Sequence, residues 1–217
     1  YIKFLTEYFG RSVEFDPNSI TDLPAGYKRL SYQIDAVSQG YNLLEKHNGF
    51  FLADVVGLGK TFISALLAQQ LSGGKLIICP PVLKEYWQET LFDFGVAKAE
   101  VESMGKLDRI VDQLEAYPDK YSTIFIDEAH RFRTEGRSGE KNLRRILDGS
   151  INGSSPMALF LTATPIGVGF ENLQTLYSML FQSESIEALE FIESAPGLVN
   201  ITLPFIINRF GITDSSG

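Results

Sequence analysis

One cysteine, Cys79, is all the thiol this chain has, which excludes an internal disulfide framework and a cysteine-built metal cluster. No run approaches the roughly 20 apolar residues that a membrane span needs, and the N-terminus lacks the charged-then-apolar pattern of a secretory signal. Both absences lead to the expectation of an intracellular chain, cytoplasmic or in a nucleoid or nucleus, with no membrane partner. Basic residues are in the minority: 19 Lys and Arg against 27 Asp and Glu give a net charge of −8. That balance runs against the basic footprint usual for a nucleic-acid binder. Backbone N–H groups and helix N-termini can also hold a phosphate backbone, so charge alone does not exclude such a partner. There is no biased tract and no internal repeat.

What is present suits one α/β domain with a full core: 217 residues, 44% of them hydrophobic,. The chain opens at Tyr1 without an initiator methionine and closes on a small polar run at Gly217, and the expectation is a piece of a longer polypeptide.

The apolar pattern alternates between two periods. Ile34, Val37, Tyr41 and Leu44 recur at helical spacing from Ser31 to His47, and a short apolar run, Phe50 to Ala53, follows Asn48-Gly49,. Phe62, Ile63, Leu66, Leu67 and Leu71 form a second helical stripe, for which Gly73-Gly74 is the expected C-terminal stop,. Leu76 to Cys79 reads as a strand, and Pro80-Pro81 then breaks the chain before a helix marked by Leu83, Trp87, Leu91 and Phe94,. Ala99 to Ser103 is a candidate strand, Leu107, Ile110, Val111 and Leu114 another helix, and Tyr121 to Ile126 another strand. A charged helix with Leu143, Ile146 and Leu147, a loop at Asn152-Gly153, a strand Met157 to Leu161 and a helix with Leu173, Leu176, Tyr177 and Leu180 complete the series. Short apolar strands alternating with longer helices imply parallel pairing with helices on both faces, a three-layer α/β sandwich around a mostly parallel sheet.

Three motifs follow predicted strands. Asp54-Val55-Val56-Gly57-Leu58-Gly59-Lys60-Thr61 lies between a strand and a helix. A glycine-rich turn there lets backbone N–H groups converge on a phosphate, Lys60 reaches the outer phosphates and the Thr61 hydroxyl can ligate Mg²⁺. The bland alternative is an ordinary glycine turn capping a helix. Asp127-Glu128-Ala129-His130 ends another strand, at the sheet edge where open α/β folds bind ligands. Asp127 can hold Mg²⁺ and Glu128 can deprotonate an attacking water, although acids also simply suit the first turn of a helix. Leu161-Thr162-Ala163-Thr164-Pro165 offers hydroxyls that could read the phosphate, or it is no more than a polar turn before a proline.

Taken in order, these three resemble motifs I, II and III of superfamily II helicases. Ser31-Tyr32-Gln33 is similar to the glutamine motif that recognises adenine in those families, which implies that role for Gln33. Asp54 in place of the first glycine is similar to the Swi/Snf-like form of motif I. Ile77 to Phe94, with Cys79-Pro80-Pro81 and Trp87, resembles that branch's motif Ia and the helix after it, and Phe205 to Arg209 faintly resembles the segment leading to a second lobe.

The resemblance implies a RecA-like P-loop lobe over residues 29–182, preceded by a lead-in at 1–28 and followed by a tail at 183–217 towards a second RecA-like lobe. It implies Mg²⁺-ATP held by Gln33, Gly57, Leu58, Gly59, Lys60 and Thr61, with the metal on Thr61 and Asp127 and with Lys60, Asp127 and Glu128 catalytic. His130, Thr162 and Thr164 would couple hydrolysis to grip on nucleic acid, foremost double-stranded DNA, contacted at Pro80 to Leu83. Motifs IV to VI, with the arginine finger, are missing from this chain. Since a finger contributes on the order of 10³ or more to phosphoryl-transfer rate, the lobe alone is expected to bind ATP and hydrolyse it poorly. The competing reading is an ATP-gated regulatory or assembly module acting on a protein partner without nucleic acid, which the acidic charge favours.

Overall fold

The computed structural model describes residues 15–21, 23–53, 59–129, 131, 136–151, 155–162 and 206–207. The helix expected around Leu173 to Leu180, the loop at Asn152-Gly153 and the acidic stretch Glu184 to Glu193 lie outside them.

The elements follow the alternation of the sequence: α1 (Ser31–His47), β1 (Gly49–Ala53), α2 (Lys60–Gln70), β2 (Lys75–Cys79), α3 (Lys84–Asp93), β3 (Ala99–Ser103), α4 (Leu107–Ala116), β4 (Thr123–Ile126), α5 (Gly136–Leu147), β5 (Met157–Thr162) and the two-residue β6 (Ile206–Ile207). Every strand pairing is parallel, and the order across the sheet is β3-β2-β4-β5-β1-β6. Strand β5 therefore lies between β1, which leads into the first motif, and β4, which leads into the second.

Parallel strands need cover on both faces, and the period-two alternation supplies it. Phe51, Leu76, Ile78, Ile124, Ile126, Ala158 and Phe160 point to one side, where Leu107, Ile110, Val111 and Leu114 of α4 and Leu143, Ile146 and Leu147 of α5 meet them. Phe50, Leu52, Ile77, Cys79, Phe125, Leu159 and Leu161 point to the other, under Ile34, Val37 and Leu44 of α1, Ile63, Leu66 and Leu67 of α2 and Trp87 and Leu91 of α3. Phe51 and Phe160 stack across the β1–β5 pair, with centroids 5.1 Å apart. Each such fully buried side chain contributes about 1.5–3 kcal/mol of transfer free energy, and the helices are held mainly by these apolar stripes.

Helix α1 ends where Asn48 takes a left-handed conformation (φ 59°) and returns its amide to Leu44 O at 2.8 Å, a C-terminal cap that asparagine supports nearly as well as glycine. The lead-in is part of the packed body over its described length. Arg29 donates to Ile20 O at 2.8 Å and to Pro17 O at 2.7 Å, and Ile20 is buried in the core under α1. At the far end of the chain, Ile206 and Ile207 pair with Phe51 and Leu52.

Gly73-Gly74 does not stop α2. The helix ends at Gln70 with Leu71 already extended (φ −88°, ψ 144°). Gly74 instead lies against the backbone of Lys120, where a Cβ would collide with the Lys120 carbonyl, and its own carbonyl accepts the Ser122 amide at 2.8 Å. Gly74 permits close approach of two backbones at the N-terminal edge of the sheet, and Gly73, with φ +76°, lies against the Ser122 side chain, long-range needs that imitate a helix-end signal.

Candidate nucleotide-binding site

The parallel sheet brings the predicted residues to one edge because all its strands point the same way. Ala53, the last residue of β1, is in register with Thr162, the last of β5. The Asp127 amide continues the β4 ladder by donating to Ile78 O at 2.8 Å. The starts of α2 and α3, the Asp127-Glu128 turn and Thr162 thus share the C-terminal edge of the sheet, the ligand-binding edge of open α/β folds.

Gly59 is the residue before α2 and holds φ +83°, a left-handed conformation that costs L-residues roughly 1–2 kcal/mol and glycine nothing. Gly59 has no side chain to cap this helix start, so the first N–H groups and partial positive charge suit an anion. Lys60 and Thr61 are the first two residues of the helix.

The buried side chain of Gln33 abuts this turn: a Cβ on Gly59 would lie 2.5 Å from Gln33 Nε2. The amide is oriented by two tyrosines. Tyr27 Oη donates to Gln33 Oε1, and Gln33 Nε2 donates to Tyr32 Oη at 3.4 Å. Burial, with Tyr32 beside it, pushes the Tyr27 phenol up to about 12, which keeps it a donor. Its ring meets Phe62 and Phe94 edge-on at 5.6 and 5.2 Å, favourable geometry for aromatic pairs. Sequence reasoning missed Tyr27. The only available sign was an aromatic six residues before Gln33, just after the Pro24-Ala25-Gly26 turn.

Asp127 is 7% exposed and accepts one hydrogen bond on each carboxylate oxygen: Trp87 Nε1–H on Oδ2 and the Glu128 amide on Oδ1, both at 2.9 Å. Burial pushes its carboxyl above the usual range; the Trp87 bond works against that, the Glu128 charge adds to it, and the Glu128 amide and Lys60 charge oppose it. The Lys60 charge, at the start of α2, is thus the least of the influences on Asp127, and it acts although β1 and β4 are not neighbours in the sheet. Glu128 takes φ 51°, uncommon for a residue with a Cβ. Cys79, at the end of β2, is buried, and burial together with the Asp127 charge raises its thiol to about 12, so it is an inert core thiol.

Beyond β2 the turn expected to meet nucleic acid is a single 3-10 turn, Pro81–Leu83, with Val82 84% exposed. Lys84, which follows it, bonds Glu102 Oε1 at 2.9 Å, and Arg109 stands 3.6 Å from Glu102 Oε2. Gly57, Leu58, His130 and Thr164 lie outside the described residues. Gln33, Gly59, Lys60, Thr61, Asp127, Glu128 and Thr162 are all at or next to the described edge.

These residues fit a nucleotide with its divalent ion. A left-handed glycine precedes a helix start whose N–H groups suit a phosphate, a lysine follows it, and a buried carboxylate has both oxygens already oriented,. Among the described residues no group of three or more His, Cys, Asp or Glu could hold a metal by itself. A Mg²⁺ that arrives on phosphates needs only one or two protein ligands, so Thr61 and Asp127 suffice.

The parallel sheet with helices on both faces is a RecA-like α/β fold. Residues 27–167 match the family described as type III restriction enzyme, res subunit, and the chain belongs to that family. Among curated proteins it is similar to chromodomain-helicase-DNA-binding protein 1-like of Danio rerio, 27% identical over 82% of this chain. It is also similar to the protein of that name from Mus musculus, 24% identical over 85%. The chain spans only 21% and 24% of those two proteins. Among solved structures it shares the fold of the Sulfolobus solfataricus SWI2/SNF2 ATPase core in complex with dsDNA, with a TM-score of 0.66 and 21% identity, covering 90% of this chain and 47% of that one.

Proposed function

We propose that this lobe binds Mg²⁺-ATP at the C-terminal edge of its sheet and, in a parent protein with a second RecA-like lobe, couples ATP hydrolysis to movement along double-stranded DNA. The observation that carries the reading is the contact of the Gln33 amide with Gly59, next to an oriented Asp127. In this reading Gln33 is the adenine-reading group, the Gly59 turn takes the phosphates and Asp127 is the metal-side carboxylate, all at the C-terminal edge of the sheet.

Each residue has a defined part. Gln33 presents its amide to adenine, oriented by Tyr27. The loop through Gly57, Leu58 and Gly59 and the first turn of α2 cradle the phosphates with backbone N–H groups, and Lys60 pairs with the outer phosphates. Thr61 and Asp127 would hold the Mg²⁺, which would supply charge neutralisation to the phosphates. Glu128 accepts a proton from the attacking water at its carboxylate. His130, Thr162 and Thr164 relay the state of the site to the neighbouring lobe. The exposed turn Pro81–Leu83 meets the polymer through backbone and polar groups, which suits an acidic chain better than a lysine-rich patch would.

The structural relative's dsDNA complex supports the choice of DNA. The test is ATP turnover by the full parent polypeptide with and without double-stranded DNA, beside Glu128→Gln. The expected result is a rate raised many-fold by DNA and abolished by the substitution. A rate that ignores DNA and RNA alike would overturn the translocase reading and favour an ATP-gated module acting on a protein partner.

A further inference from the structure

Trp87 is the single tryptophan of the chain and is 1% exposed. A buried indole ordinarily supplies packing area and gives its N–H to whatever acceptor is near, often a carbonyl. Here the acceptor is Asp127 Oδ2, forty residues away in sequence and at 2.9 Å. The opposite oxygen is held by the Glu128 amide, which reaches it across a turn with φ 51° at Glu128. One donor on each oxygen fixes the plane of the carboxylate, and hydrogen bonds to a charged acceptor are roughly twice as strong as neutral ones. Trp87 also lies one helical turn beyond Leu83, the end of the exposed Pro81–Leu83 turn. Helix α3 thus carries an exposed turn at its start and, on its inner face, a bond to a buried acid.

We propose that Trp87 is a positioning residue for Asp127: its indole N–H holds the carboxylate in the orientation that meets the metal ion of the bound nucleotide, and it makes that orientation depend on where α3 sits. The proposal rests on the reading of Asp127 as the metal-side carboxylate. Packing alone would make any bulky apolar side chain at 87 adequate. An acceptor held by two directed donors makes the N–H itself matter.

Because Trp87 is the only tryptophan, biosynthetic replacement by the benzothienyl analogue, with sulfur in place of N–H, alters this position alone and keeps its shape. The experiment compares the 217-residue chain, that isostere and Trp87→Phe. It reads the Mg²⁺ concentration giving half-maximal binding of a fluorescent ATP analogue, the affinity for the analogue in EDTA, and thermal unfolding. The expected result is that both altered chains need roughly tenfold more Mg²⁺, with metal-free affinity unchanged and the isostere unfolding close to the unaltered chain. A wild-type Mg²⁺ requirement in the isostere overturns the proposal. An unaltered chain whose binding ignores Mg²⁺ overturns the metal-side reading of Asp127 instead, so the two failures are distinct. Trp87 emission gives a second readout that needs no change at 87. Mg²⁺ added to the nucleotide-bound chain should shift the emission, and Asp127→Asn should abolish the shift; a spectrum indifferent to Mg²⁺ counts against the proposal.

Discussion

The amide of Gln33 occupies the space that a Cβ on Gly59 would need, 2.5 Å from Nε2. Gly59→Ala therefore meets two costs at once, a left-handed φ of +83° and a collision with a buried side chain. The expected outcome is a loss of about 1–2 kcal/mol of stability from the backbone alone and nucleotide binding weakened by roughly tenfold or more. Thermal unfolding and nucleotide titration measure the two effects. An alanine variant that binds like the parent would show that the close approach has no bearing on the site.

Tyr27→Phe removes the donor to Gln33 Oε1 while keeping the ring against Phe62 and Phe94. Leaving the buried Gln33 acceptor unpaired costs about 1–3 kcal/mol,, and the freed amide can rotate. Discrimination of ATP over GTP should fall several-fold with little change in phosphate affinity, as competition binding would measure. Because the Tyr27 phenol is raised to about 12, it remains a donor to Gln33 through the range in which an ordinary tyrosine ionises, and ATP affinity should show no loss from its titration there.

Gly74→Ala is a test of the fold alone. A Cβ there meets the Lys120 carbonyl, backbone that can yield only by shifting the approach to β4, so the expected loss is about 1–3 kcal/mol. Nucleotide affinity per folded molecule should not change, since Gly74 lies at the opposite edge of the sheet. A variant as stable as the parent in urea unfolding would refute the account of why this pair of glycines is present.

Acid sensitivity should arise in part from Glu102. Burial works to raise its carboxyl, but the Lys84 and Ser103 hydrogen bonds and the neighbouring lysines outweigh it and hold the group below its ordinary 4.5. A depressed folded value means that the contribution is complete above about pH 4.5 and is lost as pH falls through the folded value. Stability should thus decline below that pH, and Glu102→Gln should flatten the decline while lowering neutral-pH stability by about 1 kcal/mol, a modest figure because Arg109 is 64% exposed,. Urea midpoints across pH 3 to 7 measure both; equal acid slopes would remove Glu102 from the account.

Local pattern carried the architecture. The 3.6-residue stripes of α1, α2 and α4 and the short apolar runs of the strands were readable because each element must turn its own apolar side chains to a core, whatever lies on the other side. The positions of Gly59-Lys60-Thr61 and Asp127-Glu128 were readable for a related reason: each group lies beyond the end of a short apolar run that folds as a strand, β1 and β4, so the sequence already put them at the C-terminal edge of the sheet.

What depended on distant segments meeting was not legible. Gly73-Gly74 read as a helix stop because both a helix end and a close backbone approach select glycine, and only the position of Lys120 separates the two. Trp87 read as a core aromatic because its apolar ring dominates its pattern, and its single N–H has meaning only once β4 brings Asp127 to it. The sequence by itself determined the alternation of strands and helices and the kinds of group available for chemistry, since those follow from each segment's own periodicity and composition. The tertiary structure alone decided that β5 separates β1 from β4, that Gln33 reaches Gly59 and that Trp87 orients Asp127, because strand order and side-chain contact come from how separate segments bury one another, and no local window contains that information.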